Sequence, residues 1–184
     1  PDVLVMSATP IPRTVSLIFY GDLDITEIKD KPKNRQPVAT FLVPERKYEG
    51  MLGFIRDTVK GGNQAFCVCP KIEEDEEGTL MSVTELFEEL SAKLTGVRVG
   101  LLHGKMKDVE KARIMADFKA KAFDVLVSTT VVEVGIDVPN ATVMVIYNAE
   151  RFGLSQLHQI RGRVGRSTRR AYAYFTYRQD KTLS

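Results

Sequence analysis

The sequence predicts an α/β domain built on a parallel sheet with helices on both faces, and three observations predict it. Short apolar runs recur at Ala39–Val43, Ala65–Val68, Val97–Leu102, Val125–Ser128, Thr142–Tyr147 and Ala171–Thr176. The segments between them are of helix length and carry apolar residues at helical spacing, as in Met51, Leu52, Ile55 and Val59, in Leu86, Leu90 and Leu94, and in Ile114, Met115 and Phe118. Strand-helix-strand repetition joins parallel neighbours and covers both sheet faces. Several polar, glycine-bearing loops follow strands directly, where ligands of such sheets bind.

Taken in order, the chain opens on the apolar run Asp2 to Met6, which stops at Ser7-Ala8-Thr9-Pro10-Ile11-Pro12-Arg13. Two prolines end a strand there and can start a helix, predicted over about Thr14 to Tyr20. Residues 22–38 lack any apolar period and read as a linker, most plainly at Lys29-Asp30-Lys31-Pro32-Lys33-Asn34-Arg35-Gln36-Pro37. The alternating pattern then runs through residues 39–184.

The 184 residues are 43% hydrophobic and 27% charged, the composition of a globular chain with one good core. No apolar run is long enough to cross a bilayer and no export leader is present, so a soluble, cytoplasmic protein without a membrane partner is expected. Cys67 and Cys69 stand two apart in one strand-like run and so face one side. Without further cysteine or histidine ligands nearby they read as small buried hydrophobes rather than a zinc site or disulfide, and no metal site is assigned.

A net charge of +2 hides an asymmetry. Residues 151–184 carry seven arginines and Lys181 against Asp180 alone, a net +7, and the rest of the chain is at −5. Much of the acid lies in Glu73-Glu74-Asp75-Glu76-Glu77, which reads as an exposed loop. The basic end contains Gln156-Leu157-His158-Gln159-Ile160-Arg161-Gly162-Arg163-Val164-Gly165-Arg166. Guanidinium forks match phosphate oxygens, so the segment reads as an anion-handling site. On a helix, Arg163 and Arg166 would share one face. The alternative is a solvated basic face or a diffuse nucleic-acid patch. Gly162 and Gly165 argue against it, because each costs a helix about 1 kcal/mol relative to alanine and suggests close approach of a ligand.

Four loops at predicted strand ends stand in a telling order. They are Ser7-Ala8-Thr9, Leu102-His103-Gly104, Ser128-Thr129-Thr130 with Gly135-Ile136-Asp137, and the arginine segment with its Q-x-x-G-R-x-G-R spacing. Together they resemble motifs III, IVa, V and VI of superfamily 2 helicases, whose motors clamp ATP between two RecA-like domains. Ser7-Ala8-Thr9-Pro10-Ile11-Pro12-Arg13-Thr14, Tyr20-Gly21-Asp22-Leu23-Asp24, Glu133 to Ala141 and Arg151-Phe152-Gly153-Leu154 narrow the resemblance to the RecG family of bacterial DNA helicases. The transcription-repair coupling (Mfd) family shares the Thr-Pro-Ile-Pro-Arg and Phe-Gly-Leu patterns. Tyr20 to Asp24 and Val138-Pro139-Asn140-Ala141 favour the RecG family.

The resemblance implies residues 1–21 as the end of a first RecA-like domain, 22–38 as linker and 39–184 as the second. It implies that Arg163, with Arg166 second, faces the γ-phosphate of ATP as an arginine finger, and that Gln159 helps hold the nucleotide. Asp137 would accept from the ribose hydroxyls beside Gly135, although on the residues alone it reads equally as a turn or cap aspartate. Thr129, through hydroxyl and amide, and Gly104, through backbone approach, would track a DNA phosphate. Ser7 and Thr9 would link nucleotide state to DNA binding, or serve as a simple cap. His103 and His158 receive no catalytic role.

The phosphate loop G-x-x-x-x-G-K-[ST] does not occur. The one Gly-Lys pair, Gly104-Lys105, is followed by Met106 and has Val99 where the first glycine belongs. No apolar strand ends in Asp-Glu to hold magnesium. The chain thus reads as a fragment that supplies half of an active site, inactive alone, with ATP and Mg2+ held by a first motor domain and branched DNA engaged with the help of a wedge domain, both elsewhere in a parent protein. Two other readings stay open: a transcription-repair coupling translocase, and a stand-alone nucleic-acid-binding module.

Overall fold

A computed structural model of the chain describes residues 37–70, 82–129 and 138–177. The chain divides into two units, Pro1–Lys33 and Asn34–Ser184, and every described residue belongs to the second. Ser7, Thr9, the expected helix near Thr14, nearly all of the expected linker, the acidic run at Glu73, Gly135, Asp137 and Arg178 lie outside the described residues.

Six strands form one parallel sheet: β1 (Ala39–Val43), β2 (Gln64–Val68), β3 (Val99–Leu102), β4 (Val125–Ser128), β5 (Ala141–Ile146) and β6 (Tyr172–Thr176). Their order is β1-β6-β5-β2-β4-β3, and every neighbouring pair is parallel. Among the described residues four α-helices accompany them: α1 (Tyr48–Lys60), α2 (Val83–Lys93), α3 (Asp108–Lys119) and α4 (Leu154–Arg161). The six strands expected from Ala39 onward are present with ends shifted by a residue or two, and the strand expected at Asp2 to Met6 lies outside the described residues. Val97 belongs to the turn closing α2, where its amide donates to Leu94 O at 3.0 Å, so β3 starts later than the apolar run.

Alternation along each strand builds two cores. Ala65, Cys67, Val125, Val127, Val143 and Val145 face the side covered by Met51, Leu52 and Ile55 of α1 and Leu86 and Leu90 of α2. Phe66, Val68, Leu126, Met144, Ile146 and Ala173 face Met115 and Phe118 of α3 and Ile160 of α4. The central strands are buried on both faces, which is why they read as continuous apolar runs. The handedness rule accounts for the split. α1 and α2 serve connections that move toward the β3 edge, whereas α3 and α4 serve connections that move back, and right-handed crossovers put opposite movements on opposite faces. Cys67 and Cys69 are free, buried and on one side, as read from their spacing.

Local chemistry fixes the ends. At the start of α2, Ser82 Oγ accepts the Glu85 amide at 3.1 Å while Glu85 carboxylate accepts the Ser82 amide at 2.7 Å, a reciprocal capping box. Ahead of β3 and β4, the Arg98 guanidinium donates to Asp124 at 2.9 and 2.7 Å, and the same carboxylate accepts the Arg98 amide. These bonds hold the Asp124 carboxyl below its ordinary range. Gln64, 1% exposed at the start of β2, donates through Nε2 to Phe118 O at 2.6 Å and Phe123 O at 2.8 Å, tying the end of α3 to the sheet.

Candidate functional site

Because all strands run one way, the sheet has a carboxyl end and an amino end. Five residues of β2 separate them by roughly 16 Å at a rise of about 3.3 Å per residue. The residues singled out in the sequence divide between these ends.

Gly104 and Thr129 are at the carboxyl end, on the neighbouring strands β3 and β4. Gly104 follows β3 in an exposed turn closed by the Met106 amide on His103 O at 3.2 Å. The turn leads through Lys105 and Lys107 into the N-terminus of α3, where amides and dipole favour an anion. Thr129 follows β4 directly. Its amide already donates to Leu102 O at 3.3 Å, continuing the ladder. Its hydroxyl is buried, with the residue 7% exposed, and has no hydrogen-bond partner among the described residues. Leaving such a group unpaired costs about 1–3 kcal/mol, a cost that a bound acceptor would remove.

The arginine segment is at the other end. Sequence order suggested a loop at a strand's carboxyl end and a helix carrying Arg163 and Arg166 on one face, and the structure corrects both. α4 is capped by Gly153, whose amide donates to Gln156 Oε1 at 3.2 Å, and it runs antiparallel to the sheet from Leu154 and stops at Arg161. Gly162 caps it, with its amide on His158 O at 3.1 Å, and the Arg163 amide follows on Ile160 O at 3.0 Å. Gly165 then takes φ +75°, a left-handed conformation that costs a side-chain-bearing residue and ends helical spacing. Gly165 therefore serves the turn itself, whereas Gly162, at φ −68°, takes a conformation open to any residue.

Val164 shows how the arginines are presented instead. It is fully buried in the core and Gly165 beside it is buried too, whereas Arg163 is half-buried and Arg166 is exposed. Gln159 is exposed on α4, and Arg161 Nη2 donates to His158 Nδ1 at 3.3 Å, away from any common arginine face. The loop then delivers the chain to the amino end of β6.

Arg169 is one of the seven arginines of the basic end, and no motif in the sequence singles it out. Its Nη1 donates to Asn63 Oδ1 at 2.8 Å and to Asn140 Oδ1 at 3.4 Å. Asn63 and Asn140 immediately precede β2 and β5, so Arg169 spans the amino ends of three adjacent strands. Partners 106 and 29 residues away leave no local signal to find. Arg170 lies 5.6 Å from the Tyr172 ring centroid, a cation–π contact.

Gly135 and Asp137 lie outside the described residues, but the chain around them is informative. Thr129 follows the carboxyl end of β4, and Val138, 2% exposed, leads into β5 at the amino end. A polyphosphate suits the arginine-rich amino end by charge. For a metal, no group of three or more His, Cys, Asp or Glu side chains is gathered among the described residues. No helix among them is long and apolar enough to cross a membrane.

Comparison with known proteins places this geometry. Residues 46–168 match the family described as "Helicase conserved C-terminal domain". The chain is 52% identical over 174 residues to the ATP-dependent DNA helicase RecG of Thermotoga maritima and 53% identical over 172 residues to that of Aquifex aeolicus. Each match covers 94% of this chain and 22% of the relative, so the chain spans under a quarter of their length. Among solved structures, RecG bound to a three-way DNA junction is similar at 49% identity and a TM-score of 0.79, over 97% of this chain and 23% of that one. Domain 2 of the DEAD-box helicase Mss116p shares the fold at 17% identity and a TM-score of 0.62, over 78% of this chain and 56% of that one. The sheet is therefore the RecA-like sheet of helicase second domains, similar to the corresponding part of RecG, and the chain belongs to the helicase conserved C-terminal domain family.

Proposed function

We propose that this chain is the second motor domain of an ATP-dependent DNA helicase of the RecG type, acting in the bacterial cytoplasm on branched DNA such as stalled forks and Holliday junctions in recombination and repair. The observation that supports it most is the 49% identity, over 97% of the chain, to RecG bound to a three-way DNA junction. In this reading residues 1–21 end a first motor domain, 22–38 link the two, and 39–184 form the second. The first domain, with its Mg2+, and a wedge domain belong to the same parent chain.

The two ends of the sheet then have separate work. At the amino end, Arg163 and then Arg166 neutralise charge that develops on the γ-phosphate of an ATP held by the first domain. Asp137 accepts from the ribose hydroxyls, Gly135 lets the backbone approach, and Gln159 orients the nucleotide or the interdomain contact. At the carboxyl end, Gly104 and the Thr129 hydroxyl meet a phosphate of the DNA backbone without reading bases, as a motor on any sequence requires. Ser7 and Thr9 couple nucleotide state to that grip. Alone, the chain positions no nucleotide and does not hydrolyse ATP.

The test is strand separation by the full-length parent protein. With ATP it is expected to convert a three-way junction into its component duplexes and to leave an unbranched duplex of equal length intact. Equal activity on both, or displacement of a stalled RNA polymerase without junction processing, would contradict the reading.

A further inference from the structure

We infer that Arg169 is a positioning residue for the arginines at the amino end, a role that rests on the proposed nucleotide-facing use of Arg163 and Arg166. The loop from Gly162 to Arg170 contains no helix or strand, and glycine at two of its positions gives it a wide choice of backbone conformations. A guanidinium must nevertheless stand within hydrogen-bond reach of one phosphate, and a displacement of about 1 Å can cost on the order of a hundredfold in rate. Buried Val164 and Ala171, each 0% exposed, pin the loop to the core by apolar contact. Arg169, between Arg166 and Ala171, adds the directional tie through its bonds to Asn63 at 2.8 Å and Asn140 at 3.4 Å.

The choice of partners matters in two ways. Asn140 stands three residues after Asp137 and its own carbonyl accepts the Gln64 amide at 2.8 Å, so it is fixed to β2. Through it, Arg169 joins the loop bearing Arg163 and Arg166 to the start of β5. Both partners are also carboxamides, which accept a hydrogen bond without carrying charge. Arg169 is thereby tied down without its positive charge being cancelled by them, and this end of the sheet stays attractive to a polyphosphate. A carboxylate at either position would hold the arginine as well and weaken that field.

The experiment is DNA-stimulated ATP hydrolysis by the full-length parent protein, with Arg169→Ala, Arg163→Ala and the double variant. Arg169→Ala is expected to lower kcat by roughly tenfold to a hundredfold, with the DNA concentration for half-stimulation unchanged. The double variant is expected to be no slower than Arg163→Ala, because a residue that acts through Arg163 has nothing left to position. Wild-type kcat in Arg169→Ala, or losses that multiply in the double variant, would overturn the inference. Should Arg169→Ala fail to fold, Asn63→Ala removes the 2.8 Å bond from the other side and is expected to lower kcat likewise, and an unchanged kcat there overturns it. Arg163→Ala at wild-type rate would sink the site assignment itself, whereas a slow Arg163→Ala beside a normal Arg169→Ala sinks only this inference.

Discussion

Replacing Arg163 by alanine in the full-length parent protein is expected to cut DNA-stimulated ATP hydrolysis by about a thousandfold or more, the range of arginine fingers being roughly 10³–10⁵. The size of the effect follows from when the charge is needed. Negative charge spreads over the equatorial oxygens only as the γ-phosphoryl group transfers, so a guanidinium brought from a second domain stabilises the transition state more than bound ATP. The loss should appear in kcat, with DNA affinity preserved, because Arg163 is at the opposite end of the sheet from Gly104 and Thr129. Arg166→Ala is expected to be slower than wild type but faster than Arg163→Ala. A steady-state ATPase titration against DNA checks both, and equal activity of Arg163→Ala and wild type would remove the assignment.

Phe118→Ala is expected to destabilise the domain by about 3–5 kcal/mol, the usual cost of truncating a buried phenylalanine to alanine. At roughly 2–4 °C per kcal/mol for a chain of this size, the thermal midpoint should fall by about 10 °C. Phe118 is 0% exposed, its ring packs 4.9 Å from Phe66, and its carbonyl accepts the buried Gln64 side chain at 2.6 Å. The buried residues of α3 are Met115 and Phe118, so the helix has little else to hold it. Val109 on the same helix is 83% exposed, and Val109→Ala should leave the midpoint nearly unchanged. Calorimetry or circular dichroism of the two variants separates core packing from helix propensity. Because α3 follows directly on the Gly104 turn, its loosening should also disturb the carboxyl end of the sheet before the arginine end.

Much of the fold was legible because burial on two faces leaves a plain mark. Ala65-Phe66-Cys67-Val68 supplies one residue to each core in alternation, and an unbroken apolar run of that length suits a central parallel strand. Helix spacing was equally direct, since Met51, Leu52 and Ile55 are the buried residues of α1. The arginine segment was legible as chemistry and misleading as geometry. Arginines three apart resemble one helical face, but the helix stops at Arg161, Gly165 turns the chain at φ +75°, and Val164 between the arginines is buried. The end of the sheet on which each motif stands was hidden for a different reason. It depends on whether a loop follows a strand or a helix, and α4 intervenes between β5 and the arginines. Arg169 was hidden because its partners are distant in sequence, and no periodicity reports a bond between chain segments that only the folded sheet brings together.

The central claim is that one sheet holds nucleotide chemistry at its amino end and the DNA backbone at its carboxyl end. It is tested most directly by measuring, in one full-length protein, DNA affinity and ATP turnover at saturating DNA for Thr129→Val beside Arg163→Ala. Valine keeps the shape of threonine and removes the hydroxyl that is buried without a described partner. The account predicts opposite patterns: weakened DNA binding with near-normal turnover for Thr129→Val, and normal binding with turnover lost for Arg163→Ala. Parallel losses of both properties in both variants would contradict it.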